Sequence, residues 1–215
     1  MKLYGASMSP FVRKVLAYAA EKGLELELEN AGLGHGGPEF EEASPFRKMP
    51  GFRDGDFCIS DSTAIITYLE AKYPEPNLIP TEPRARARTI WYEEFADTIL
   101  MGCGARMFFN RFVAPRILGR DGDLAIADKA EAEELPPLVD YLETVIPASG
   151  FLVEDRLTLA DIAVASPFAN LAHIGVKIDA GTHPRTTAYI DAILARPSFA
   201  PWIERERAFV ERGQG

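Results

Sequence analysis

The sequence predicts an α/β domain followed by an all-helical one. Three observations carry that expectation. Strand and helix patterns alternate through residues 1–77, four prolines crowd into residues 74–83, and every apolar pattern beyond them has the spacing of a helix. The prolines can neither continue a helix nor join a central strand, so they mark a semi-rigid linker. The expected layout is an α/β domain over 1–77, a linker over 78–85 and an all-helical bundle over 86–215.

Residues 2–4 are the first strand candidate. A helix over 10–22 follows, with Val12, Val15, Leu16 and Ala19 on one face and Gly23 as its stop. Leu24, Leu26 and Leu28 then alternate with Glu25, Glu27 and Glu29, which gives a strand with one acidic face, suited to a sheet edge. Residues 51–53 and 57–60 flank Asp54-Gly55, a two-residue hairpin signal. A helix over 61–72 turns Ile65, Tyr68 and Leu69 inward. The order is β-α-β, a crossing segment, then β-β-α. In the second half, 84–112 reads as one long helix bent near Gly102 and Gly104, and 127–145 as another. Thr158 and Asp161 form a capping box that opens a buried helix through Leu171, with Asp161 reaching back to the Thr158 N–H. Helices over 185–196 and 199–212 are parted by Pro197.

Composition narrows the function. A net charge of -9 argues against nucleic acid or an anionic membrane as the main partner, since both reward clustered Lys and Arg. Cys58 and Cys103 make neither a disulfide framework nor a metal cluster, and His35, His173 and His183 lack metal-ligand spacing. The expectation is a cytoplasmic protein that binds no metal and crosses no membrane. No signal peptide is evident, and no apolar run approaches spanning length. Gly32-Leu33-Gly34-His35-Gly36-Gly37 matches GxGxxG, but the acidic stretch after Pro38 would repel a pyrophosphate. It reads as a flexible loop. No GxSxG elbow occurs.

Three motifs carry chemistry. Ser9-Pro10 stands where the first strand turns into the first helix. A serine N-cap before proline is ordinary helix punctuation. The same hydroxyl, beside free N–H groups at a positive helix end, also suits an anion such as a thiolate. Met49-Pro50 precedes the hairpin. A cis bond there would leave the Met49 N–H and C=O open to an extended ligand that pairs as a strand does. In Ser60-Asp61-Ser62, Ser60 reads as the N-cap of the next helix, with Asp61 and Ser62 in its first turn. Ser62 and the helix end would take a carboxylate and Asp61 an ammonium, the two ends of one amino acid.

In this order and spacing, the motifs resemble the cytosolic glutathione transferases, of the bacterial, serine-type kind. The linker and the capping box extend the likeness over almost the whole chain. The resemblance implies a thioredoxin-like N-terminal domain (βαβ-α-ββα) that binds glutathione, and a C-terminal helical bundle domain. Asp61 and Ser62 would hold the γ-glutamyl end. Met49 would pair the cysteinyl backbone with Pro50 in cis, and Lys48 and His35 would meet the glycyl carboxylate. Phe11 joins this set. Ser9, with Ser7 as its rival, would donate to the glutathione thiolate, which attacks an electrophilic carbon. Met8, Arg106, Phe108, Phe109 and Phe112 would wall the pocket for the small hydrophobic electrophile, between Ser9 and the long helix, and Arg111, Arg116 and Arg120 could add positive charge. Gly51 departs from the family pattern, which rarely has glycine beside the cis proline. Glutathione would be a co-substrate and the molecule a homodimer. Alternatives are a glutathione-dependent isomerase, ether-cleaving enzyme or peroxidase on the same fold, or a non-catalytic binding protein.

Overall fold

The computed structural model describes residues 1–212, which fall into two units. One comprises Met1–Leu78 together with Pro197–Trp202, the other Ile79–Arg196 with 203–212, and the last residues of the expected 86–215 bundle lie outside the described residues. The sequence reading assigned 197–202 to the helical half. These residues cluster instead with the first unit, where Phe199 is fully buried and the Ser198 hydroxyl donates to Glu21 Oε1 at 2.6 Å.

The first unit is built on β1 (Lys2–Tyr4), α1 (Pro10–Glu21), β2 (Glu27–Glu29), α2 (Pro38–Ala43), β3 (Gly51–Asp54), β4 (Phe57–Ser60) and α3 (Ser62–Lys72). The sheet order is β2-β1-β3-β4, with β1 parallel to β2 and antiparallel to β3. Side-chain alternation sends Leu3 and Phe52 to one face and Tyr4 to the other, where it packs on Phe40 of α2. β2 is the acidic edge strand expected, but it pairs only over Glu27–Glu29, since Leu24 follows the left-handed Gly23 out of α1. The hairpin also shifts by one residue. Asp54 pairs with Phe57, so Gly55-Asp56 forms the turn, with Gly55 at φ +64.

A clasp joins α1, α3 and the proline-rich segment. Glu70 of α3 accepts from the Tyr18 hydroxyl, the buried Lys22 ammonium, Asn77 Nδ2 and the Leu78 N–H. Lys22 also donates to the Pro76 carbonyl at 2.7 Å.

The second unit is helical throughout. α4 (Pro83–Glu94) and α5 (Met101–Phe108) run on through wider π-helical stretches at Phe95–Leu100 and Phe109–Ile117. Gly102 and Gly104, where the sequence suggested a bend, lie inside regular α5, and the irregular turns fall in the π-helical stretches on either side of it. The helical run also passes Phe112. α6 (Leu124–Lys129) leads through a π stretch at Ala130–Glu134 into α7 (Leu135–Val145). The Ala127 start of this helix therefore moves to Leu124, with Asp123 as cap. Pro115 lies within the second π stretch and Pro136-Pro137 follow the third. A proline gives no N–H and crowds the carbonyl four residues back, which a wider turn relieves. No proline accounts for the first stretch.

α8 (Leu159–His173) is the buried centre of this unit, and α9 (Pro184–Leu194) and α10 (Ala200–Arg212) follow. Asp161 caps α8 as the sequence implied. Its Oδ2 accepts from the Thr158 N–H at 2.9 Å, and its Oδ1 from the Leu152 N–H at 2.9 Å and the Tyr189 hydroxyl at 3.3 Å. Burial pushes this carboxyl up to about 6, while those donors pull it down. Among the described residues, no helix is long and apolar enough to cross a membrane.

Candidate functional site

The turn between β1 and α1 is set by three residues. Ser9 is the N-cap in extended backbone, with Pro10 in the first helical position. Its N–H donates to the Ala6 carbonyl and its carbonyl accepts from the Arg13 N–H, both at 2.9 Å. Its hydroxyl caps no helix amide, so the half-buried oxygen stands beside the amides that a helix start leaves unpaired. Ser7 is 8% exposed, and its carbonyl accepts from Arg13 Nη1 at 3.2 Å. Arg13 is fully buried and braces the loop from beneath. The apolar spacing of α1 gave no sign of this, since Arg13 and Lys14 occupy positions that look solvated. Met8 and Phe11 are half-buried.

The Met49-Pro50 peptide bond is cis, and so is Glu75-Pro76, for which the sequence gave no signal. The segment before Met49 hangs on Ser44, which is fully buried. Its hydroxyl donates to the Lys48 carbonyl at 2.6 Å and accepts from the Lys48 N–H at 3.0 Å. The Met49 N–H and C=O have no partner among the described residues. Gly51, the departure from the family pattern, has a steric reason. A β-carbon there would lie 3.3 Å from both Ala43 Cβ and Phe40 Cδ2, so glycine lets α2 settle on β3.

At the third motif the cap moves by one residue. Asp61, not Ser60, is the N-cap of α3, and Ser62 takes the first helical position. Asp61 Oδ1 accepts from the Thr63 N–H at 2.9 Å and the Ala64 N–H at 3.0 Å. A serine one place earlier could not reach those amides once Asp61 adopts φ +83, a conformation that L residues avoid. The Asp61 N–H donates to the Pro50 carbonyl at 3.3 Å, which ties the second motif to the third. Ser62 is buried and Asp61 exposed. His35 and Lys48 both have exposed side chains.

The remaining candidates lie in the second unit. Phe108 and Phe112 are buried and stacked at 5.0 Å, while Phe109 is partly exposed with the Arg120 guanidinium 5.5 Å over its ring. Arg106 pairs with Glu134, and Arg111 with Glu131 and Asp128. The positive charge expected from these two is thus spent inside the unit. No cluster of His, Cys, Asp and Glu among the described residues could hold a metal ion.

Comparison with known proteins gives a consistent picture. Residues 3–77 match the family model described as glutathione S-transferase, N-terminal domain, and residues 121–206 match its C-terminal counterpart. A glutathione S-transferase of Hyoscyamus muticus is 30% identical over 95% of this chain and 98% of its own. A crystal structure of a glutathione S-transferase from Rhodospirillum rubrum superposes with a TM-score of 0.84 at 26% identity, covering 94% of this chain and 90% of that one. One from Methylobacterium radiotolerans, in complex with glutathione sulfonate, gives 0.76 at 26% identity, over 94% and 93%.

Proposed function

The chain belongs to the glutathione S-transferase family, and from that premise we propose that it joins the glutathione sulfur to small hydrophobic electrophiles. The observation that carries this reading is the Ser9 hydroxyl, which stands at the start of α1 and is not consumed by capping it. A glutathione thiol titrates near the ordinary thiol value of roughly 8.5. A donor hydroxyl and the positive end of a helix both favour its thiolate, which is the nucleophile. Ser7 suits the role less well, being more buried and part of the Arg13 brace.

The tripeptide would lie along the first unit. Its γ-glutamyl end meets Ser62 and the second oxygen of Asp61, its cysteinyl main chain meets Met49, and its glycyl carboxylate meets Lys48 and His35. The link from Asp61 to the Pro50 carbonyl supports this, because it holds two of the contact points in one register. On the first unit, Met8 and Phe11 supply apolar surface for the second substrate. The reading includes a cytoplasmic homodimer that serves detoxification.

The test is direct. The chain should be retained on immobilised glutathione and should turn over a general electrophile. Ser9→Ala should lower kcat/KM roughly 10- to 100-fold, the worth of a hydrogen bond to a charged group, and Ser7→Ala should change it little. Retention without turnover would select the non-catalytic alternative. Unimpaired turnover in Ser9→Ala would show that the thiolate is stabilised by other means.

A further inference from the structure

We infer that Gly32 is a positioning residue for glutathione: with Gly5 it forms the slot that holds the Met49 side chain, and so aims the Met49 main chain at the ligand. The inference rests on the glutathione-binding reading above. Gly32 is buried, lies between β2 and α2, and has φ +107, where a β-carbon is strained. It closes a tight turn with His35: its N–H donates to the His35 carbonyl at 2.6 Å, and the reverse bond is 2.9 Å.

The slot is visible from what side chains would do to it. A β-carbon on Gly32 would stand 2.7 Å from Met49 Cε and 3.0 Å from its Sδ. One on Gly5 would stand 2.5 Å from Val12 Cγ2 and 3.3 Å from Met49 Cβ. The Met49 side chain therefore meets bare backbone at both ends, its base at Gly5 and its tip at Gly32. The main chain on either side is held separately. Ser44 fixes Lys48, and the Asp61 N–H fixes Pro50. Three contacts thus set the direction of the Met49 N–H and C=O. A ligand that pairs like a strand needs both groups aligned at once, and a hydrogen bond weakens steeply as its angle opens. The glycine-rich stretch that resembles a phosphate loop has this different task at its first glycine.

Gly34 supplies the control. It has φ +89 in the same turn, yet a β-carbon there meets nothing within 4 Å. Alanine at either position strains the turn, but only at 32 does it strike Met49. Calorimetric titration with glutathione should give a Kd raised about tenfold for Gly32→Ala, and less than about twofold for Gly34→Ala, since one well-made hydrogen bond is worth close to a decade. Turnover at saturating glutathione should stay near the wild-type value in both, so the loss appears in KM and not in kcat. Met49→Ala covers a Gly32→Ala chain that does not fold. It empties the slot, leaves both glycines in place and should raise Kd to a similar extent. Equal changes in the two loop variants, or wild-type affinity in Gly32→Ala or Met49→Ala, would overturn the inference alone. A wild-type chain with no affinity for glutathione would overturn the functional reading, and this inference with it.

Discussion

Replacing Glu70 by alanine should cost the first unit more stability than any surface change of similar size. The Glu70 residue is 9% exposed, and the Lys22 side chain beside it is fully buried. Truncation removes the carboxylate from a buried ammonium and also takes away the Leu78 N–H acceptor at 3.1 Å. Breaking a buried ion pair on one side costs about 3–5 kcal/mol, because the remaining charge stays desolvated. An orphaned buried N–H alone costs about 1–3 kcal/mol, and the two overlap because they share one carboxylate. A loss of about 3–5 kcal/mol is a large part of the roughly 5–15 kcal/mol that holds an ordinary protein folded. Urea unfolding followed by circular dichroism would measure it, with amide exchange in α1 and α3 localising the effect to the first unit. Lys22→Met/Glu70→Leu removes both charges but still leaves the Leu78 N–H without its acceptor, so it should recover only the part of the loss that comes from the desolvated ammonium. Glu70→Ala within about 1 kcal/mol of wild type, or a double variant no better than the single one, would refute the reasoning.

Two further perturbations follow from the geometry of the second unit. Asp161 has its carboxyl pushed up to about 6 by burial, so the folded chain holds that proton more tightly than the unfolded one. Its contribution is complete below the ordinary carboxyl value of 3.8 and is lost as pH rises through about 6. Urea titrations at acidic and neutral pH should show wild type losing more stability across that interval than Asp161→Asn, and parallel pH profiles would count against it. Gly122 has no room for a side chain, since a β-carbon would fall 1.9 Å from the Asn110 carbonyl oxygen. Gly122→Ala must push the turn outward and disturb the Asp123 N–H bond to Asn110 Oδ1, at a cost of about 1–3 kcal/mol in thermal unfolding. A melting temperature equal to that of wild type would mean that the turn moves freely.

What could be read from the sequence depended on how local the cause was. The edge strand followed from Leu24 to Glu29 because alternation is a property of neighbours. The Thr158–Asp161 cap followed because its partners lie three residues apart. The cap of α3 was misplaced by one residue because Ser60 and Asp61 are both good caps, and only the backbone angle at Asp61 decides between them. The π-helical stretches escaped because their apolar spacing differs little from that of an α-helix over five to nine residues. At the candidate site, Ser9, Met49 and Asp61 were proposed from residue type and order. The residues that support them were not. Gly32 acts through its contact with Met49, well along the chain, while Ser44 and Arg13 bond nearby residues in irregular turns whose shape no periodic pattern gives, and nothing in a buried arginine's or a loop glycine's immediate neighbours announces such a role.

The placement of Pro197–Trp202 with the first unit bears on how the chain is made. About 120 residues separate Leu78 from this segment. A ribosome adding roughly 5–20 residues per second needs about 6–24 s to cross them. For that interval Glu21 has no Ser198 to bond and the niche for Phe199 stands open, although every strand of the sheet has already emerged. The first unit is thus begun first and completed almost last, and a nascent chain halted before residue 197 carries its sheet without its final piece.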